Sequence, residues 1–190
     1  MKSTQPKIDL DATQTRLTRL GLDHAAERLS EFVTDAIKQE TSASAFLDQL
    51  LDAELQRRDE RRIRTSLRLS GLPSGATLGN FDFAFQPSIE RSRIDALATC
   101  AWLRDKQTLL IQGPPGVGKT HLAVSLGVKA IESGFSVLFH RLDELLALMR
   151  KDADLPPTRL RRRKYLNVAL LIIDEMGFES MNRLEARVKS

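Results

Sequence analysis

Thr108-Leu109-Leu110-Ile111-Gln112-Gly113-Pro114-Pro115-Gly116-Val117-Gly118-Lys119-Thr120 is the stretch that decides the fold. Its first five residues have the length and composition of a short buried strand, expected over residues 108–112. The next eight fit G-x-x-x-x-G-K-[ST], and helical spacing follows from about Lys119 to Ser133, ending at Gly134. Glycines let backbone N–H groups approach phosphate oxygens with no Cβ in the way. A helix that starts at Lys119 aims its partial positive end at the same oxygens. Lys119 adds a full charge that reaches the outer phosphates, and the Thr120 hydroxyl is a hard oxygen ligand suited to Mg²⁺. The expected phosphate contacts are therefore Gly113, Pro114, Pro115, Gly116, Val117, Gly118, Lys119 and Thr120, with His121 lining the first helical turn.

About 55 residues beyond the loop, Ala169-Leu170-Leu171-Ile172-Ile173 runs into Asp174-Glu175. A strand there carries Asp174 to its C-terminal end, where ligands sit in open α/β sheets. An aspartate in that place holds Mg²⁺, and the adjacent Glu175 orients or deprotonates an attacking water. Between loop and acidic pair, residues 136–140 read as a further strand and 142–149 as a helix, with a loop at 152–157. Alternating strands and helices argue for an α/β domain with a parallel sheet. Asp174-Glu175-Met176-Gly177 also fits the D-x-x-G of GTPases, but the guanine-reading N-K-x-D is absent and Glu175 suits an ATPase of the additional-strand type better.

Upstream, residues 13–20 read as a short helix stopped by Gly21. Asp23 is an expected N-cap for a helix with Ala26, Leu29, Val33 and Ile37 on one face. Thr41 or Ser42 caps the next, with Phe46, Leu50 and Leu51 on a stripe that runs toward Leu69. Gly71-Leu72-Pro73-Ser74-Gly75 ends it and sets an expected boundary between a helical region, 1–75, and a nucleotide domain, 76–190. Phe81, Phe83 and Phe85 alternate as in an extended segment, and Ser88 would cap a helix with Ile94, Leu97, Ala98 and Trp102 on one side.

The 190 residues are 42% hydrophobic and 28% charged, the balance of a soluble globular protein. The longest apolar run, Val168 to Ile173, is far shorter than a membrane span, and no secretory leader is visible. One cysteine, Cys100, excludes an internal disulfide framework and a cysteine zinc site, so a reduced cytoplasmic protein with no membrane partner is expected. The net charge of +4 is unevenly spread. Arg57, Arg61, Arg64 and Arg68 share one helix stripe, and Arg159, Arg161, Arg162, Arg163 and Lys164 crowd into six residues. Either set can track nucleic-acid phosphates without reading sequence, or serve as a solvated face.

The loop with His121 behind it, the Leu-Leu-Ile-Ile-Asp-Glu strand and the following Met176-Gly177-Phe178, Met181, Arg183 and Glu185-Ala186 resemble the IstB-like ATPases. So do Phe46-Leu47, Leu50-Leu51, Glu54-Leu55, Arg57-Arg58 and the Phe81-Asp82-Phe83…Phe85-Gln86-Pro87-Ser88 stretch. These are helpers of insertion-sequence transposition related to the DnaC-type helicase loaders of the AAA+ class. The resemblance implies ATP and Mg²⁺ as cofactors, with Gly113 to Thr120 on the triphosphate, Thr120 and Asp174 on the metal, and Lys119 and Glu175 as the catalytic pair. It also implies sequence-nonspecific DNA and a transposase as partners, and self-association in full-length relatives. Only 15 residues follow Glu175. The family's sensor strand, arginine finger and helical lid do not fit in them, so the expectation is a truncated, incomplete AAA+ sheet with hydrolysis left open. In the family's sheet the missing strand lies between the first and third. Residues 108–112 and 169–174 are therefore expected either to pair directly or to leave open apolar edges. A replication helicase loader and a non-hydrolysing DNA- or partner-binding remnant remain the alternatives.

Overall fold

The computed structural model describes residues 9–175. The chain divides into two compact units, residues 1–62 and 63–190.

In the first unit, α1 (Leu10–Arg19) starts where the Asp9 carboxylate accepts the Ala12 N–H at 3.1 Å. It stops at Gly21, whose φ of +73° closes the turn. α2 (Asp23–Lys38) packs against α1, and Gln14 Nε2 donates to the Ala26 carbonyl at 2.8 Å. Leu22, not Asp23, holds the cap position, without a side-chain hydrogen bond; Asp23 is the first helical residue and complements the helix dipole from there. Ala25, Ala26 and Leu29 are buried, while Ile37 lies 73% exposed, so the apolar face fades toward the helix end. α3 (Ala43–Ser70) begins with the Ser42 hydroxyl accepting from Ala45 N at 3.3 Å, as its sequence leads one to expect.

Glu54 on α3 is a buried carboxylate with specific partners. It accepts the Ala25 N–H at 2.9 Å and Arg58 Nε at 2.8 Å. Burial pushes its pKa up, but the amide and the guanidinium outweigh burial and hold it below the usual glutamate value. Arg58 also donates to the Gly21 carbonyl at 2.5 Å.

α3 continues into the second unit and ends at Ser70, with Gly71 left-handed at φ +71°. There follow α4 (Arg91–Ala98), α5 (Ala101–Arg104), α6 (Lys119–Glu132), β1 (Val137–Arg141), α7 (Leu142–Asp152), α8 (Pro157–Leu160), α9 (Lys164–Asn167) and β2 (Leu170–Asp174). β1 and β2 pair in parallel, Val137 opposite Leu170 through Arg141 opposite Asp174. α6 covers this sheet, and Ala130, Ile131, Val137, Ile172 and Cys100 form its core. The α/β P-loop class and a parallel sheet thus follow the sequence reading, while the structure adds which strands are neighbours.

Four details differ. Residues 81–85 do not extend: the Asp82 carboxylate accepts N–H groups from Ala84 (2.9 Å) and Phe85 (3.0 Å), and this local turn outcompetes the alternating pattern. Phe81 is buried while Phe85 is 71% exposed. Glu90 rather than Ser88 precedes α4. Cys100 takes a left-handed conformation, φ +59°, which splits the expected single helix into α4 and α5. Finally, residues 108–112 form no ladder. Among the described residues the sheet has two strands, and β1 occupies one edge of β2. Ile111 packs instead beside Phe81, Ile94 and Leu122, and Leu110 is left 61% exposed. Of the two expected outcomes for this segment, direct pairing with 169–174 is therefore the one the structure does not take.

Candidate nucleotide site

The loop at residues 113–118 is built on glycines that have separate reasons to be there. Gly116 and Gly118 hold φ of +81° and +85°. At Gly118, which precedes α6, an added Cβ would also sit 2.8 Å from the Phe81 ring. At Gly113 an added Cβ would approach Val117 Cγ2 to 3.1 Å. α6 begins at Lys119, so its first turn faces the loop with unpaired amides. Lys119 Nζ donates to the Pro114 carbonyl at 2.8 Å, which folds the ammonium back over the loop.

Thr120 is the next residue of that turn. Its Oγ1 lies 2.9 Å from Oδ2 and 3.1 Å from Oδ1 of Asp174, and donates to that carboxylate. Two residues 54 positions apart are thereby joined, one at the start of α6 and one at the end of β2. The pair fits Mg²⁺ in kind, a hydroxyl and a carboxylate being hard oxygen donors. Among the described residues no cluster of three His, Cys, Asp or Glu side chains could hold a metal. A cation at this pair would draw its remaining ligands from phosphate oxygens and water.

Glu175 follows with φ +56°, a conformation that costs a non-glycine residue about 1–3 kcal/mol. Its Oε2 is held by Arg141 Nη2 at 2.5 Å. Arg141 ends β1 directly opposite Asp174, and its pKa is raised by Asp143 first and Glu175 second. Sequence reasoning missed this arginine. The available signal was a cation closing one strand beside an acidic tip closing the next.

His121 Nε2 lies 3.0 Å from both the Thr77 carbonyl and Asn80 Oδ1. Asn80 Oδ1 already accepts the Thr77 N–H, so both neighbours are acceptors and Nε2 carries the proton. The ring meets Phe81 edge-on at 5.3 Å. His121 thus ties residues 77–81 to the start of α6, which leaves its backbone for any phosphate contact.

Arg57, Arg61, Arg64 and Arg68 are all exposed on α3, and Arg57 pairs with Glu60 at 3.3 Å. Arg161, Arg162 and Arg163 lie in and after the short turn that follows α8, and Arg163 is engaged by the buried Asp152. The resemblance residues Met176 to Ala186 lie outside the described residues.

A model of the IstB-like ATP binding protein family matches residues 15–188. The chain belongs to that family. It is 40% identical over 172 residues to the insertion sequence IS21 putative ATP-binding protein of Pseudomonas aeruginosa, covering 90% of this chain and 64% of that protein. It is 39% identical over 160 residues to the IS5376 putative ATP-binding protein of Geobacillus stearothermophilus, 84% of this chain and 64% of the relative. The IS232 putative ATP-binding protein of Bacillus thuringiensis subsp. berliner is 30% identical, with 92% and 70% covered. The chain thus spans about 64% of the length of the first two IstB-like relatives. Among the described residues no helix is long and apolar enough to cross a membrane.

Proposed function

We propose that this chain is an ATP·Mg²⁺-binding helper of insertion-sequence DNA transposition that contacts DNA and a transposase. The observation that carries the nucleotide part is the contact of Thr120 with Asp174 at 2.9 Å, at the mouth of a glycine-lined loop. The insertion-sequence setting of the named relatives supports the transposition part.

In this reading the amides of 113–120 and the Lys119 ammonium bind the triphosphate. Lys119 exchanges the Pro114 carbonyl for a phosphate oxygen, a stronger charge-assisted partner. Thr120 and Asp174 hold Mg²⁺, which when bound neutralises phosphate charge. Glu175 orients water, with Arg141 fixing one of its two oxygens. The arginines of α3 and of 159–163 contact DNA phosphates.

Labelled-ATP binding and turnover by the purified chain, with and without Mg²⁺ and duplex DNA, test the proposal. Lys119→Ala is expected to weaken ATP at least about tenfold, the loss of a charged hydrogen bond. Unchanged affinity in that variant would refute the nucleotide reading. Binding without turnover would favour the non-hydrolysing binding reading over the ATPase reading.

A further inference from the structure

In its first-unit half, α3 divides its surface by chemistry. Leu50 and Glu54 are buried, and the Glu54 carboxylate accepts the Ala25 N–H, which turns that side of the helix toward α2. Leu47, Leu51 and Leu55 recur every four residues next to it and are 52%, 41% and 59% exposed. Spaced at about 1.5 Å per residue, they make an apolar ridge about 12 Å long. A leucine exposed singly is ordinary, but three stacked on one side of one helix form a continuous patch.

The ridge has an acidic border. Asp48 and Asp52 each follow a ridge leucine by one position. Asp52 accepts from Gln56 Nε2 at 2.9 Å, and among the described residues neither aspartate has a cationic partner. The surrounding stretch, residues 23–52, carries seven acidic and two basic side chains, and one of those two, Arg28, is paired with Glu31 at 2.8 Å. Arg58, one turn beyond Leu55, is drawn back to Glu54 and the Gly21 carbonyl. Arg57, Arg61, Arg64 and Arg68 follow another side of the helix, roughly a quarter turn round.

We infer that the ridge of Leu47, Leu51 and Leu55 is the docking surface for an amphipathic helix of a partner protein, one that carries apolar side chains at the same spacing and Lys or Arg on its flank. Helices seat on one another through such stripes, and their flanking charges choose the partner. Two carboxylates without a counter-charge beside the leucines match ammonium or guanidinium groups at the rim of the contact. The same carboxylates repel a phosphodiester backbone and an anionic lipid surface. An antiparallel second copy of α3 would set Asp48 and Asp52 against their own counterparts, like charge against like. The inference rests on the transposase half of the proposed function and names the surface, and the kind of segment, through which that contact is made.

The test is calorimetric binding of the full chain to the transposase of the same insertion sequence, and to overlapping peptides that tile it. Leu47→Ser/Leu55→Ser is expected to weaken the transposase at least about tenfold. Asp48→Lys/Asp52→Lys is expected to weaken it about fivefold and to lower the salt dependence of binding. One tiled peptide, with basic-flanked apolar residues at four-residue spacing, is expected to bind the parent and to lose affinity for both variants. ATP affinity and helical circular dichroism should not change in either. Should the serine variant lose helicity, the lysine variant is read alone, because both of its positions are exposed. Transposase affinity equal to the parent in both variants would overturn the ridge and leave the transposase reading standing, whereas a parent that binds no transposase would overturn both. A fall in the sedimentation mass of the chain alone on Leu47→Ser/Leu55→Ser would assign the ridge to a second copy. Duplex DNA displacing the bound peptide from the parent, but not the transposase from the lysine variant, would assign it to nucleic acid. Either result would overturn the proposal.

Discussion

Gly118 shows how single residues set this site. Its backbone is left-handed, and a methyl group there would press on the Phe81 ring at 2.8 Å. The two constraints add, so Gly118→Ala should destabilise the second unit by about 1–3 kcal/mol and distort the loop. Thermal melting and ATP titration on one preparation would check this, and an unchanged melting point would contradict it. Glu54 supplies a pH prediction. Its folded pKa is depressed by the Ala25 amide and Arg58 against the opposing effect of burial. The stabilisation is therefore fully present above the unfolded glutamate value near 4.3 and is lost as pH falls through the lower folded value. Glu54→Gln should flatten the acid limb of the first unit's stability curve below about pH 4, read by amide exchange of α1 and α2. A parallel acid limb in the variant would contradict the assignment.

At the level of elements, α6 and β2 carry the site between them, and Gly127 lets them approach. An added Cβ there would lie 2.8 Å from Ile172 Cδ1 and 3.1 Å from Leu72 Cδ2. A valine there must turn both of these side-chain ends aside within a packed core, so Gly127→Val should cost about 1–3 kcal/mol and weaken ATP by moving Thr120 from Asp174. Retained stability with retained ATP affinity would show that the helix tolerates the shift. Elements whose cause is local were legible in the sequence: the glycine loop, α6, β1, α7 and β2 all came from spacing and punctuation. The exceptions have causes that spacing does not carry. Residues 108–112 have strand composition but no ladder partner, and a strand is a property of a pair. Residues 81–85 alternate, yet the Asp82 turn takes their amides. The Thr120–Asp174 contact was legible because motif and strand end fix both ends. The Arg141–Glu175 and Asp152–Arg163 contacts depend on register and turn geometry that no spacing rule specifies.

For the molecule as a whole, the two units should answer to different agents. A ligand held by residues 113–120 and Asp174 stabilises the state that binds it by about 2.7 kcal/mol at a hundredfold excess over Kd. Amide protection should rise in α6, β1 and β2 on adding ATP with Mg²⁺, while α1 and α2 of the first unit keep their exchange rates. A uniform rise through all helices would contradict a site confined to the second unit. The central claim is that one lysine, one threonine and one aspartate converge on a nucleotide and its cation. The most direct measurement is the ATP dissociation constant of the purified chain, with Mg²⁺ and with chelator, for the parent and Asp174→Asn. Clear binding that tightens with Mg²⁺ is expected in the parent, with most of that tightening lost in the variant. ATP affinity that ignores both the cation and Asp174, or is absent from a folded parent chain, would contradict it.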